Sequence, residues 1–218
     1  MHRGISLYRA RVFNLSDPKN EAFHNDIFEG FNEEGSLAPK PNNVDKPGRV
    51  NRINESVLYV AEDKYTALAE ARTGKRQTIS IAEIELLKEV DTYEFRFIDA
   101  CHEDDSLEQI YHFIALEFYI TVYDVKQYLI TQYVARKLKG LGFGGIKYSS
   151  SLSEKGMNIA FFDTQNAKAN NSKLFLTRSV LYYAERMKEE NEAGRLLPVS
   201  ITDKFTTEEI DYFFCRMK

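Results

Sequence analysis

Residues 57–70 read VLYVAEDKYTALAE. The first five are apolar, β-branched or aromatic, the composition of a strand that packs on both faces. Asp63 then stands where a helix N-cap belongs, since a short carboxylate accepts the free backbone N–H groups of a first turn. KYTALAEAR (64–72) follows as a short helix expected to pack through Ala67, Leu68 and Ala71, with Glu70 near its end. A buried strand running straight into a capped helix calls for a domain in which helices cover a sheet.

Upstream, ISLYRARVF (5–13) alternates. Tyr8, Ala10 and Val12 face one way, and Leu7, Arg9, Arg11 and Phe13 the other, so a strand is expected with two arginines on one face. From Asn14 to Asn54 the chain turns to Asn, Pro, Gly and charge, with four of the five prolines, and no regular element is expected. A loop of that length in a compact domain is often functional.

Downstream, ISIAEIELL (79–87) and EVDTYEFRFID (89–99) read as strands joined around Lys88. Ser106 to Lys139 is helical in pattern, with Leu107, Ile110, Phe113, Ile114, Val134 and Leu138 recurring at three and four, and Gly140 ends it. GIKYSSS (145–151) reads as a strand entering a polar turn, and MNIAFFD (157–163) as another strand. TQNAKANNSK (164–173) reads as an exposed loop by composition. A Tyr-rich strand, SVLYYAERM (179–187), a charged turn and a terminal helix complete the chain. That helix starts with a capping box, Thr206 to Glu209, and buries Ile210, Phe213 and Phe214.

Composition narrows the function classes. Hydrophobic residues make up 43% of 218, with 15 Phe and 13 Tyr, so the chain can bury a core and is not disordered. Twenty-nine basic against 33 acidic residues leave a net charge of -4, and no general positive field draws it onto nucleic acid or anionic lipid. Cys101 and Cys215 lack the spacing of a disulfide framework or zinc site, and no histidine pair shows HxxxH or HExxH spacing. No metal is expected. Neither an apolar export segment nor a membrane span is read, and a cytoplasmic location is expected.

Two motifs mislead. GLGFGG (140–145) satisfies GxGxxG, yet a dinucleotide fingerprint needs a strand before it and a helix after, and here the order is reversed. Arg96 and His102 have an R-x5-H spacing that would need both on one helix, whereas YEFRFIDA alternates like a strand.

Polar residues interrupt the packing pattern at Arg9, at GRVN (48–51), at Glu70 and at Ser149 to Ser151. Here the sequence resembles the RES-domain family, named for an Arg, a Glu and a Ser. LYRA (7–10), GRVN with VLYVAEDKYTALAE, TQYVARKLKGLGFGGIKYSSS (131–151) and MNIAFF (157–162) keep the family's order over roughly residues 5–163. Ser149 stands where the family usually has Pro, and Val50 where an aromatic is commoner. The family serine is therefore assigned to Ser150, with Ser149 as the alternate.

The resemblance implies an α+β fold like the ADP-ribosyltransferases, a split mixed or antiparallel sheet with flanking helices. Residues 1–165 would form the NAD-binding catalytic domain and 166–218 an extension packed on it. It implies a toxin that cleaves the nicotinamide–ribose bond of NAD by hydrolysis or phosphorolysis and is neutralised by an Xre-type helix-turn-helix antitoxin. NAD is then substrate, no cofactor is expected, and self-association is left open. Transfer of ADP-ribose to a protein acceptor and a silent nucleotide-binding or interaction module are the alternatives.

The implied roles agree with the chemistry. Nicotinamide leaves as a neutral molecule, so no general acid is needed and one carboxylate suffices, unlike the paired carboxylates of most glycosidases. Glu70 would hold the ribose hydroxyls and stabilise the oxocarbenium-like charge. Arg9 and Arg49 would clamp the pyrophosphate through their guanidinium forks. Ser150 would hydrogen-bond the substrate, because no His and Asp pair is spaced to activate it as a nucleophile. Tyr59 either stacks on nicotinamide or fills core, and Asn51 and Asn158 are further substrate-binding candidates.

Overall fold

The computed structural model of the chain describes residues 1–14, 16–17, 29–98, 106–181 and 204–217. The alternating N-terminal residues form β1 (Ser6–Val12). The polar segment after it carries one helical turn, α1 (Glu33–Ser36), capped by Asn32, and a 3-10 turn at Pro41–Asn43. The expectation of no regular element there is corrected at those two points; proline with its preset φ starts the second. The apolar run forms β2 (Leu58–Ala61). Asp63 accepts from the N–H groups of Tyr65 and Thr66, each at 2.9 Å, and so starts α2 (Lys64–Glu70). Thr66 and Ala67 are its buried residues, while Leu68 and Ala71 are only half-buried.

Then come β3 (Thr78–Leu86), β4 (Thr92–Phe95), α3 (Ser106–Tyr119), α4 (Tyr128–Gly140), β5 (Gly145–Ser149), β6 (Met157–Phe161), β7 (Ala167–Leu176) and α5 (Thr207–Cys215). The strands make one sheet in the order β4-β5-β6-β2-β1-β3-β7. Only β4 and β5 run parallel. This is the expected α+β class, a mixed, mostly antiparallel sheet with flanking helices.

Strands buried on both faces read as unbroken apolar runs, and β2 and β6 do so because a core lies on each side. Tyr148, Ala160, Ile146 and Phe95 pack under α3, α4 and α5 with Phe118, Leu138 and Phe213. On the other face Leu7, Leu58, Val60, Ile159 and Phe161 form a second cluster, closed by Met1, Ile5, Leu37 and Ala38. Gly145 lets β5 lie close to β6, because a Cβ there would stand 2.7 Å from the carbonyl oxygen of Ala160.

Pairing along β1 is uneven. It follows β3 from Ser6 to Val12, yet meets β2 only at Tyr8 opposite Ala61. The sheet thus divides into β7-β3-β1 and β2-β6-β5-β4, with a cleft at the division.

Four readings are corrected. Of residues 164–173, expected as loop, 167–173 belong to β7, which pairs with β3, because an edge strand facing water tolerates polar side chains; Lys168 and Asn170 both reach Glu85. The strand expected over 89–99 is confined to β4, which joins β5 at the opposite edge from β3. The helical pattern of 106–139 is two helices, parted where Asp124 and Gln127 form a capping box around a 3-10 turn. Residues 179–181 form no strand, and the rest of 179–187 lies outside the described residues, as do Cys101, His102 and the charged turn. GLGFGG is a helix end: α4 finishes at Gly140, Gly142 takes a left-handed φ of +99°, and β5 follows. Among the described residues no helix is long and apolar enough to cross a membrane.

The capping box at Thr206 and Glu209 forms, and α5 packs on α3 through Ile210, Phe213 and Phe214. Phe213→Ala should lower unfolding free energy by about 3 kcal/mol or more, the cost of a large cavity in a close-packed core. Urea denaturation of the variant and the parent protein measures this; a change under about 1 kcal/mol would mean that α5 is not part of the core.

Candidate active site

The capped α2 ends beside the start of the 150–156 turn. Thr66 Oγ1, whose proton goes to Asp63 Oδ2 at 2.5 Å, accepts from Ser153 Oγ at 3.0 Å, and a Cβ at Gly156 would stand 2.3 Å from Thr66 Oγ1, so helix and turn are pressed together. The turn is closed by Ser150 N donating to the Gly156 carbonyl at 2.8 Å. This placement brings the Glu70 carboxylate to the ends of β5 and β6. Ser150 Oγ donates to Glu70 Oε1 at 2.7 Å and Asn158 Nδ2 donates to the same oxygen at 2.6 Å. Oε2 accepts nothing from the described residues, which leaves half of a fixed carboxylate for a ligand.

Ser149 points elsewhere. Its hydroxyl accepts from Phe97 N at 3.1 Å and donates to Met157 Sδ at 3.8 Å. One residue along a strand reverses the face, so Ser150 and not Ser149 meets Glu70.

Glu70 and Asn158 line a cleft of about 260 Å³ at the division of the sheet, together with Arg9, Arg11, Tyr59 and Tyr148. Arg9 Nη1 is sealed from water with no hydrogen-bond partner, the one such buried side-chain atom among the described residues. Burial, then the neighbouring charge of Arg11, pulls the Arg9 pKa down to about 10, so it stays cationic near neutrality. An unpartnered buried donor costs free energy, and an anion in the cleft would supply its acceptor. A larger cavity, about 690 Å³ between α4 and α5, contains none of the expected site residues. Chemistry, not size, marks the smaller cleft as the site.

Of its two expected roles Tyr59 takes the core one, and it also lines the cleft. Its ring packs against the core and lines the cleft, while its hydroxyl donates to Asn51 Oδ1 at 2.8 Å and accepts from Val50 N at 3.0 Å. Burial raises the phenols of Tyr59 and Tyr148, keeping both protonated. Asn51 is turned into the GRVN loop, where Nδ2 donates to the Arg52 carbonyl at 3.0 Å.

Arg49 is not brought to the cleft wall with Arg9. Its Nη1 donates to the Glu117 carbonyl at 2.7 Å and its Nη2 to the Ile120 carbonyl at 2.8 Å, which caps the end of α3. The loop is bolted to α4: Thr131 Oγ1 donates to the Arg49 carbonyl at 2.6 Å, and Gln132 Nε2 to the carbonyls of Gly48 and Asn51, each at 2.8 Å. Sequence reasoning missed Thr131 and Gln132 as positioning residues, although two polar residues on the packed face of α4 were a signal. It also left out Arg11, whose place on the Arg9 face was readable from the alternation. Among the described residues no group of three His, Cys, Asp or Glu is arranged to hold a metal.

A family model described as the RES domain matches residues 7–184. No curated protein matches the chain. The match runs further along the chain than the motifs and takes in all of β7.

Two outcomes follow from the geometry around Arg49. Arg49→Ala should destabilise the fold by about 2 kcal/mol or more, because hydrogen bonds from a charged group contribute about 1.5–3 kcal/mol each and the α3 carbonyls lose both; denaturant titration reads it. The adjoining Glu117 carboxyl is buried, and burial raises its pKa from 4.5 to about 7 despite the opposing charges of Arg49 and Lys204. Between those values the folded protein holds a proton that the unfolded chain releases, so this group's stabilisation is complete below pH 4.5 and is lost as pH rises through about 7. Glu117→Gln should remove that slope, so the variant gains on the parent protein as pH rises across this window. Parallel slopes would show that Glu117 titrates normally.

Proposed function

The chain belongs to the RES-domain family, and from that membership and the cleft's geometry we propose that it is an enzyme that consumes NAD by cleaving the nicotinamide–ribose bond. The observation that carries the reading is the juxtaposition, in one cleft, of a carboxylate fixed through one oxygen and a buried guanidinium without a partner. NAD has matching parts: a diphosphate for the guanidinium and a ribose that becomes cationic as its bond to the pyridinium breaks.

In this mechanism Arg9 binds the diphosphate, and Glu70 Oε2 faces the ribose hydroxyls. Ser150 and Asn158 orient Glu70, so that its negative charge is already placed when the oxocarbenium-like charge develops; such preorganised electrostatics strengthen in the transition state. Nicotinamide departs neutral and takes the bonding electron pair with it, and water then adds to the ribose carbon and releases a proton, or phosphate adds in its place. Tyr59 lines the cleft beside the substrate, with its hydroxyl tied to the GRVN loop. Arg49, Thr131 and Gln132 support that loop from behind. NAD is substrate and no cofactor enters. RES domains are known in toxin–antitoxin systems, and a neutralising helix-turn-helix protein is the proposed partner.

Incubating the purified protein with NAD, with and without phosphate, and identifying the products by mass tests the reading and separates hydrolysis from phosphorolysis. ADP-ribose on a protein acceptor would point to transfer, and intact NAD to a binding module. Glu70→Gln keeps the size of the side chain and removes its charge, and Gln has similar helix propensity. Turnover should fall about 10²- to 10³-fold with little change in Tm. Turnover within about threefold of the parent protein, a barrier change under about 1 kcal/mol, would remove Glu70 from the mechanism.

A further inference from the structure

Two residues apart on a strand, side chains share a face about 7 Å apart along the chain. Arg9 and Arg11 are so placed on β1, and both line the cleft. Neither has a carboxylate at ion-pair distance among the described residues. Ion pairs elsewhere engage Lys40, Arg96, Lys137, Lys147 and Lys168. Two like charges side by side, one with a sealed and unpartnered N–H group, repel each other and lower stability unless an anion joins them.

Arg11 is also held in place. Its Nη1 donates to the Gly35 carbonyl, and its guanidinium lies over the Phe31 ring at 4.5 Å. Phe31 in turn packs on Phe13 at 4.8 Å, and its N–H donates to Ser80 Oγ at 2.9 Å. Gly30 lets the loop lie this close, since a Cβ there would stand 2.2 Å from both Ser80 Oγ and Ser172 Oγ. The loop is thereby fastened to β3 and β7. An arginine has five N–H groups, and only one of those on Arg11 is spent on Gly35. Such a side chain is preorganised: binding an anion costs little further rotamer freedom.

We propose that Arg9 and Arg11 together form a two-guanidinium subsite for a diphosphate, Arg9 taking one phosphate and Arg11 the other, so that Arg11 sets a preference for diphosphates over monophosphates. The inference rests on the reading of the cleft as a dinucleotide site and adds to it a second phosphate ligand, in the place where Arg49 was expected. Arg11 here is a binding residue and takes no part in bond breaking.

The competing role for Arg11 is as an anchor of the 30–36 loop, and Arg11→Gln separates the two. Its amide keeps a hydrogen-bond donor on the same side chain, but it has no charge and no fork. Titration calorimetry with ADP-ribose, AMP and inorganic pyrophosphate is compared for the parent protein, Arg11→Gln and Arg11→Lys, each with its Tm. The expected result is ADP-ribose binding weakened about tenfold or more in Arg11→Gln, with AMP binding changed by less than about threefold and Tm nearly unchanged. Arg11→Lys, charged but without the fork, should fall between, and it gives the same comparison should the Gln variant be unstable. ADP-ribose affinity within about twofold of the parent protein in both variants would overturn the subsite and leave the NAD reading standing. Arg11-dependent binding of pyrophosphate without binding of ADP-ribose would support the subsite and overturn the NAD reading. Binding of none of the three probes by the parent protein would overturn both.

Discussion

Glu70 Oε1 accepts from Ser150 and Asn158, and these two hydrogen bonds hold together parts of the chain that are far apart in sequence. They fasten the last turn of α2 to the ends of β5 and β6. They also leave a charged oxygen facing the cleft, in a direction set by the protein and not by solvent. A free carboxylate on a short helix would sample several rotamers; this one has little freedom left. Thr66, Ser153 and Gly156 brace the same contact from the helix start, so the position of the carboxylate follows from packing at both ends of α2.

The division between β1 and β2 makes room for that carboxylate to act. A fully paired sheet would close the cleft with ladder hydrogen bonds. With Tyr8 opposite Ala61 as the sole point of pairing, β1 carries its arginines along one wall while β2 and β6 supply Tyr59 and Asn158. The cleft is then lined by two guanidinium groups and a carboxylate. That combination suits a ligand that carries both phosphates and a developing positive charge. The stabilising work is done away from it, by two cores on opposite faces of the sheet and by the GRVN loop bolted to α4.

Much of this was legible in the chain because the signals were local. Asp63 caps α2 because its carboxylate needs only the next three residues, and the Thr206 to Glu209 box works in the same way. VLYVA and MNIAF read as buried strands because a core on each side leaves no face for polar residues. Where the signal depended on a neighbour, reading failed. TQNAKANNSK has a loop's composition, and only β3 beside it makes it a strand. The residues after Phe95 alternate as those before them do, yet the ladder with β5 ends there. Arg49 carries a phosphate-binding side chain, but the free carbonyls at the end of α3 claim its fork.

The sequence by itself determined the α+β class, most element boundaries and the family, and it put Arg9, Glu70 and Ser150 among its candidate residues, since each of these rests on short-range periodicity, capping or ordered motifs. The tertiary structure alone decided which groups meet. It chose Ser150 over Ser149 by the pleat of β5, set Asn158 on the same oxygen of Glu70, turned Arg49 towards α3 and left Arg9 buried beside Arg11. Those choices depend on strand order and on where the sheet divides, and side-chain alternation along one strand carries no information about which strand lies beside it.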